Sequence, residues 1–187
     1  MRNRKRPVFE FLIFMLVMLS ANTCASPLKV VASTPDLAAI ARELGGANVN
    51  VQSLCPANQD PHSFEILPQH VITVRHADVY LKVGAGLDYW SDELLRSTEN
   101  AHRIEADCSR GIQLIHEAVE SGHEHGHDEH ALGNPHYWLA PSNIPTMAAN
   151  ISLALREADP AHAEDYGHNL AAFSARFDSA RAEWQTV

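Results

Sequence analysis

The sequence predicts an α/β fold: a parallel four-stranded sheet flanked by helices, with a long helix at the end of the chain. Short apolar segments alternate with amphipathic helical ones, turn residues separate them, and no strand follows the last helical segment. This alternation is typical of crossover units, which build parallel sheets with helices on both faces. We therefore expect ligands to bind at the edge where the strands have their carboxyl ends.

Each element is predicted from its apolar pattern and its bounding residues. Thr34 is expected to cap the first helix, Pro35 fits its first turn, and residues 84–86 (Gly-Ala-Gly) form the turn after the third strand. The predicted strands are at residues 28–32, 49–54, 79–83 and 103–106. The predicted helices are at residues 35–45, 68–76, 89–96, 142–157 and 160–187.

The first 25 residues have the pattern of a cleavable signal peptide. Basic residues precede an apolar core at 11–19, and small residues allow cleavage between Ala25 and Ser26. The core is shorter than the ~20 residues of a spanning helix, although a short membrane anchor is the alternative. Lipid attachment at Cys24 is disfavoured because Thr23, rather than a smaller residue, precedes it. We expect export to the periplasm.

Charge and cysteine content exclude several classes of protein. The net charge is −9, and removal of the leader, with four of the 14 basic and one of the 23 acidic residues, leaves 10 basic against 22 acidic. Nucleic-acid binding requires a basic face, so that class is excluded. The sequence lacks a CxxC pair and hence a zinc ribbon. Cys55 and Cys108 form either a disulfide or two free buried thiols.

Two histidine motifs predict a transition-metal site. His62 lies in residues 60–65 (Asp-Pro-His-Ser-Phe-Glu), and His136 lies in residues 134–139 (Asn-Pro-His-Tyr-Trp-Leu). Imidazole nitrogen is a preferred ligand of zinc and its neighbours among the divalent metals. His62 follows the second predicted strand by eight residues, on the side where ligands are expected. His62 and His136 are therefore the predicted metal ligands.

Further residues are predicted to support these ligands. Asp60 and Glu65 are candidates to orient His62 from outside the coordination shell. The segment 122–130 lacks apolar residues and is rich in histidine, which is typical of metal-binding tracts, with a solvated linker as the alternative. Its accessory metal ligands would be His123, His125, His127 and His130.

These motifs resemble those of the cluster A-I substrate-binding proteins of zinc and manganese ABC importers. Residues 60–65 and 134–139 are similar to the two ligand motifs of that family, and residues 84–88 with Trp90 resemble its glycine-rich turn. A histidine-rich loop before the second motif is typical of its zinc-importing members. The resemblance covers residues 28–187 and implies a protein that captures Zn²⁺, or alternatively Mn²⁺, and delivers it to an inner-membrane permease.

Members of that family have two α/β lobes, which are joined by a long helix and hold the metal between them. The resemblance implies a signal peptide at 1–25, a metal-binding lobe at 26–158 and the start of the interlobe helix at 159–187, with the second lobe absent. His162 and His168 are candidates to replace the missing ligands. The last helix carries an apolar stripe for a second lobe, a partner chain or self-association, at Leu170, Phe173, Phe177 and Trp184.

Two other functions compete with metal import. A periplasmic zinc buffer or chaperone would act mainly through the loop at 122–130. A zinc hydrolase would need an open catalytic site. The sequence has no nucleophile elbow, and its HExxH match at residues 123–127 lies in the glycine- and histidine-rich loop and not on a predicted helix. We therefore expect a binding protein and not an enzyme.

Overall fold

The computed structural model describes residues 26–116 and 133–185. The predicted signal peptide, the loop at 122–130 and the last two residues lie outside these ranges. The described elements are β1 Leu28–Ala32, α1 Pro35–Gly45, β2 Val49–Ser53, α2 Pro68–Arg75, β3 Val79–Lys82, α3 Trp90–Ser97, β4 Ile104–Asp107, α4 Ile144–Ala158 and α5 Ala163–Trp184. Short 3-10 turns at Pro61–Ser63, Tyr137–Leu139 and Pro141–Asn143 lie in the connections.

The four strands form one parallel sheet in the order β2-β1-β3-β4. Val30 of β1 pairs with Val51 of β2 on one side and with Val79 of β3 on the other. The predicted fold class is therefore confirmed. Because all strands run the same way, the loops that follow them meet at one edge of the sheet, which we call the carboxyl edge.

Two apolar cores cover the two faces of the sheet. Successive side chains of a strand point to opposite faces. Val30 and Leu81 accordingly belong to the core shared with α1, α4 and the start of α5, whereas Val31 and Tyr80 belong to the core shared with α2 and α3. This arrangement fixes the directions in which the loops leave the carboxyl edge.

The predicted N-cap position of α1 is confirmed. Thr34 occupies the N-cap position with an extended backbone, but its side chain makes no capping hydrogen bond. Its Oγ1 atom is buried without a hydrogen-bond partner among the described residues. The first turn is closed instead by the amide of Ala38, which donates to the carbonyl of Thr34 at 3.2 Å. Pro35 fixes the backbone at the first helical position.

Contrary to prediction, the apolar stripe on α5 is only partly exposed. Leu170 and Phe173 pack against the core of their own lobe, because α5 crosses α1. Phe177 borders a surface cavity of about 400 Å³ between α5 and α1. Trp184 is 60% exposed. Across the described ranges, we find no helix with the length and apolar character needed to cross a membrane.

The two described cysteines are buried free thiols, which answers the question that the sequence left open. Cys55 lies in the core beneath α2 and α3, and Cys108 lies in the core on the other face. Burial raises the pKa of both thiols. The sheet separates them, so a disulfide cannot form without unfolding.

Candidate metal centre

His62 is held in a short 3-10 turn in the loop after β2. The carboxylate of Asp60 caps this turn by accepting a hydrogen bond from the backbone amide of His62 at 2.9 Å. The indole Nε1 of Trp90 donates to the carbonyl of Pro61, also at 2.9 Å. Trp90 is the first residue of α3 and is buried, so a rigid element fixes the backbone next to His62.

Aromatic packing holds the other end of this turn. Phe64 is buried, and its ring centroid lies 4.6 Å from that of Trp90 and 5.0 Å from that of His70. His70 Nδ1 accepts a hydrogen bond from the amide of Leu67 at 3.0 Å, which closes the first turn of α2. Burial lowers the pKa of His70, which favours its neutral form.

His136 is oriented by a residue two positions before it. The Oδ1 atom of Asn134 lies 3.0 Å from the backbone amide of His136 and 2.9 Å from its Nδ1 atom. A backbone amide can only donate, so the Asn134 atom at this position must be the oxygen. An amide oxygen can only accept, so Nδ1 of His136 carries the proton. The lone pair of the neutral ring is therefore on Nε2.

The segment around His136 is anchored to the end of β3. Tyr137 is buried, and its hydroxyl donates to the carbonyl of Val83 at 2.6 Å. The buried carboxylate of Asp88 accepts hydrogen bonds from the amides of Val83 at 2.7 Å and Gly84 at 2.9 Å. Burial raises the pKa of Asp88, although the two amide hydrogen bonds oppose this rise.

The two predicted ligands meet at the carboxyl edge. Nε2 of His62 lies 3.1 Å from Nε2 of His136, and the ring centroids are 5.2 Å apart. Two nitrogens bound tetrahedrally to one zinc ion at about 2.05 Å are separated by about 3.3 Å. Closely spaced imidazole nitrogens from two loops are therefore positioned to bind one ion together.

The described residues supply only part of a coordination shell. No group of three or more His, Cys, Asp or Glu side chains that could hold a metal ion occurs within residues 26–116 and 133–185. His162 and His168 cannot reach the metal site of His62 in the same chain. Their neighbours Asp165 and Asn169 bond to Asn48 and Leu44, which lie before β2 at the other edge of the sheet.

The roles of the remaining site candidates differ from one another. Asp60 contacts the backbone amide of His62. Glu65 is exposed, and its orienting role stays a prediction, as does that of the loop histidines outside the described residues. Asn134 was missed by the sequence analysis. Its position two residues before a candidate ligand, where an Asn side chain can bond the backbone, was the available signal.

Fold and site together define an α/β lobe that brings two histidine side chains next to each other at the carboxyl edge of its sheet. The chain belongs to the family described as zinc-uptake complex component A, periplasmic, whose profile matches residues 30–187. The curated relatives described next are named as substrate-binding components of ABC transporters, in agreement with the expectation of a binding protein and not an enzyme.

Curated relatives cover most of this chain. It is 34% identical over 158 residues to the metal ABC transporter substrate-binding lipoprotein ScbA of Streptococcus cristatus. The matched region covers 82% of this chain and 49% of ScbA. The chain is 30% identical over 161 residues to the manganese ABC transporter substrate-binding lipoprotein PsaA of Streptococcus pneumoniae, which covers 84% and 50%. The chain thus spans about half the length of these relatives.

Solved structures show the same lobe. The crystal structure of ZnuA superposes with a TM-score of 0.72 at 29% identity, over 82% of this chain and 56% of ZnuA. A zinc-bound ZnuA deletion mutant superposes with a TM-score of 0.74 at 28% identity, over 84% and 57%. Here too the match is to about half of the longer chain.

Proposed function

We propose that this chain provides the first metal-binding lobe of an extracytoplasmic zinc-binding protein that serves an ABC importer. His62 and His136 would bind the ion through Nε2, and a permease in the inner membrane would receive it. The observation that carries the proposal is the 3.1 Å separation of these two Nε2 atoms. Membership of the family of zinc-uptake component A supports it.

Zinc is the proposed cargo because both ligands from this lobe are imidazoles. Nitrogen donors suit zinc, whereas manganese prefers sites with more oxygen ligands. Manganese is the second candidate, because relatives such as the PsaA proteins are named for manganese transport. The histidine-rich loop would favour zinc by holding ions near the site through His123, His125, His127 and His130.

We propose three functional regions. Residues 1–25 would direct export to the periplasm and be removed near Ser26, residues 26–158 would form the metal-binding lobe, and residues 159–187 would begin the helix between lobes. The remaining ligands would come from outside the described lobe, because zinc prefers four ligands and the described residues bring together two. A second lobe of the kind found in two-lobed importer proteins is the proposed source.

Zinc calorimetry on the full chain tests the proposal. The variants are His62→Ala, His136→Ala and a deletion of residues 122–130, and His76→Ala, an exposed histidine near the end of α2, is the matched control. We expect His62→Ala and His136→Ala each to abolish the same site, because two imidazoles act on one ion. We expect His76→Ala to bind like the parent and the loop deletion to lose only additional weak sites.

Other results would favour other functions. If the loop deletion alone abolished zinc binding, a zinc buffer that acts through the loop would replace the proposal. Replacement of zinc by manganese in the same titration tests the cargo. Tighter binding of manganese than of zinc at the His62 and His136 site would favour manganese uptake.

A further inference from the structure

The two turns that carry His62 and His136 are anchored to the same segment of the lobe. Trp90 holds the carbonyl of Pro61, which directly precedes His62. Val83 holds the hydroxyl of Tyr137, which directly follows His136. Val83 and Trp90 are the two ends of one eight-residue segment, residues 83–90, which we call the bracket. It connects β3 to α3.

Hydrogen bonds within the bracket fix its backbone conformation. Its first turn has positive φ at three successive residues, Gly84 at 76°, Ala85 at 52° and Gly86 at 84°. Asp88 keeps this turn closed, because its buried carboxylate accepts hydrogen bonds from the backbone amides of Val83 and Gly84. A left-handed conformation at a non-glycine residue such as Ala85 is strained, and it persists because the surrounding hydrogen bonds fix it.

We propose that Trp90 and Tyr137 are positioning residues that set the separation of the two ligand nitrogens through the bracket. This inference rests on the proposed function. Neither side chain needs to touch the metal, because each fixes the backbone one residue away from a ligand. The bracket therefore links the loops that carry His62 and His136, which are 74 residues apart in the chain, and would hold the two rings together without the metal.

Preorganisation of this kind raises metal affinity. Without it, binding would have to order two independent loops, and that loss of conformational freedom would weaken the complex. Removal of groups that orient metal ligands commonly lowers metal affinity by about 10- to 100-fold. A single backbone contact one residue from the ligand should act at the lower end of this range.

The test uses Trp90→Phe and Tyr137→Phe in the full chain. Trp90→Phe removes the indole N–H but keeps an aromatic ring against Phe64, and Tyr137→Phe removes only a hydroxyl. The matched controls lie outside the bracket. Trp184→Phe makes the same change at an exposed position, and Tyr166→Phe removes a buried tyrosine's hydroxyl, which donates to Asp159. All four variants also carry asparagine in place of the four loop histidines, so that the loop cannot bind zinc.

Two readouts separate positioning from metal binding itself. The first is the nuclear Overhauser effect between the Hε1 protons of His62 and His136 in the metal-free protein, which reports ring proximity. The second is zinc affinity by competition with a chromophoric chelator. We expect both test variants to lose the Overhauser effect and to bind zinc roughly tenfold more weakly, while both controls match the parent. Circular dichroism checks that every variant is folded.

The outcomes distinguish the two proposals. Folded Trp90→Phe and Tyr137→Phe variants with parental ring proximity would overturn the positioning role, whatever their affinity. If the parent shows ring proximity but its zinc binding does not depend on His62, the proposed function is overturned. The positioning role is still supported in that case if the test variants lose ring proximity. We also expect the loss of zinc-binding free energy in the double variant to be smaller than the sum of the losses in the two single variants, because both contacts act through one bracket.

Discussion

Asn134 and His136 are joined by two hydrogen bonds to a single oxygen. Oδ1 of Asn134 accepts from the backbone amide of His136 at 3.0 Å and from Nδ1 of its ring at 2.9 Å. The first bond fixes the local backbone and the second fixes the ring and its tautomer. Nε2 of His136 therefore presents its lone pair towards Nε2 of His62.

Asn134→Ala should weaken zinc binding by about tenfold or more, because the ring of His136 would lose both its orientation and its preferred tautomer. Asn50→Ala, at an exposed position in β2, is the matched control. A chelator-competition titration measures the change. Unaltered affinity in a folded Asn134→Ala protein would show that the ring is positioned by other contacts.

Gly84→Ala should destabilise the protein by about 2–4 kcal/mol, from backbone strain and steric overlap together. Its φ is 76°, and an added Cβ would overlap the side chain of Asp107. Gly111 also has a positive φ, 78°, but an added Cβ there would lie 3.8 Å from Cγ2 of Thr146, which is an ordinary contact distance. Gly111→Ala should therefore cost only about 1–2 kcal/mol. Urea unfolding compares the two variants, and equal losses would contradict the predicted overlap.

Asp159 should contribute stability that depends on pH. Burial would raise the pKa of this carboxyl, but hydrogen bonds from the hydroxyl of Tyr166 and from His162 outweigh burial and lower the pKa below 3.8. A lowered carboxyl pKa means that the stabilisation is present above about pH 3.8 and is lost as the pH falls through the pKa of the folded state.

Asp159→Asn should therefore lower the free energy of unfolding by about 1 kcal/mol near neutral pH, a small value because the site is partly open to solvent. The variant should also lose stability less steeply than the parent below pH 4. Denaturant unfolding between pH 2.5 and 7 measures both effects, and Asp178→Asn on the exposed side of α5 is the control. Parallel curves for Asp159→Asn and the parent would contradict this account.

Cys55 and Cys108 should react with thiol reagents only after unfolding. Both are buried, and burial raises the pKa of each thiol, so little reactive thiolate is present at neutral pH. Alkylation of the native and the denatured protein, followed by peptide mass spectrometry, measures the reactivity at each position. A peptide containing a Cys55–Cys108 disulfide would contradict the separation of the two cores.

The strands and most helices could be predicted because each is a local pattern. β1 matches its predicted span, β2 and β3 each end one residue earlier than predicted, and β4 is shifted by one residue at both ends. Helix α4 begins at Ile144 and not at residue 142, because Pro141–Asn143 form a 3-10 turn. Such boundaries depend on local backbone geometry, which an apolar pattern does not encode.

The supporting contacts of the site could not be predicted, because they depend on tertiary structure. Trp90 was identified as part of a motif, but its bond to Pro61 joins residues that are 29 positions apart. The contact from Tyr137 to Val83 joins residues 54 positions apart. Likewise, the sequence pattern placed Leu170 on an apolar stripe but could not indicate that its own lobe covers it.

Long-range ¹H–¹⁵N correlation spectra of the full chain during a zinc titration test the central claim most directly. The sample carries asparagine in place of the four loop histidines. The account predicts that the Nε2 resonances of His62 and His136 shift together, at the same zinc-to-protein ratio, while the Nδ1 resonance of His136 keeps the signature of a protonated nitrogen. A shift of only one ring, or of neither while other histidines respond, would contradict a shared metal site.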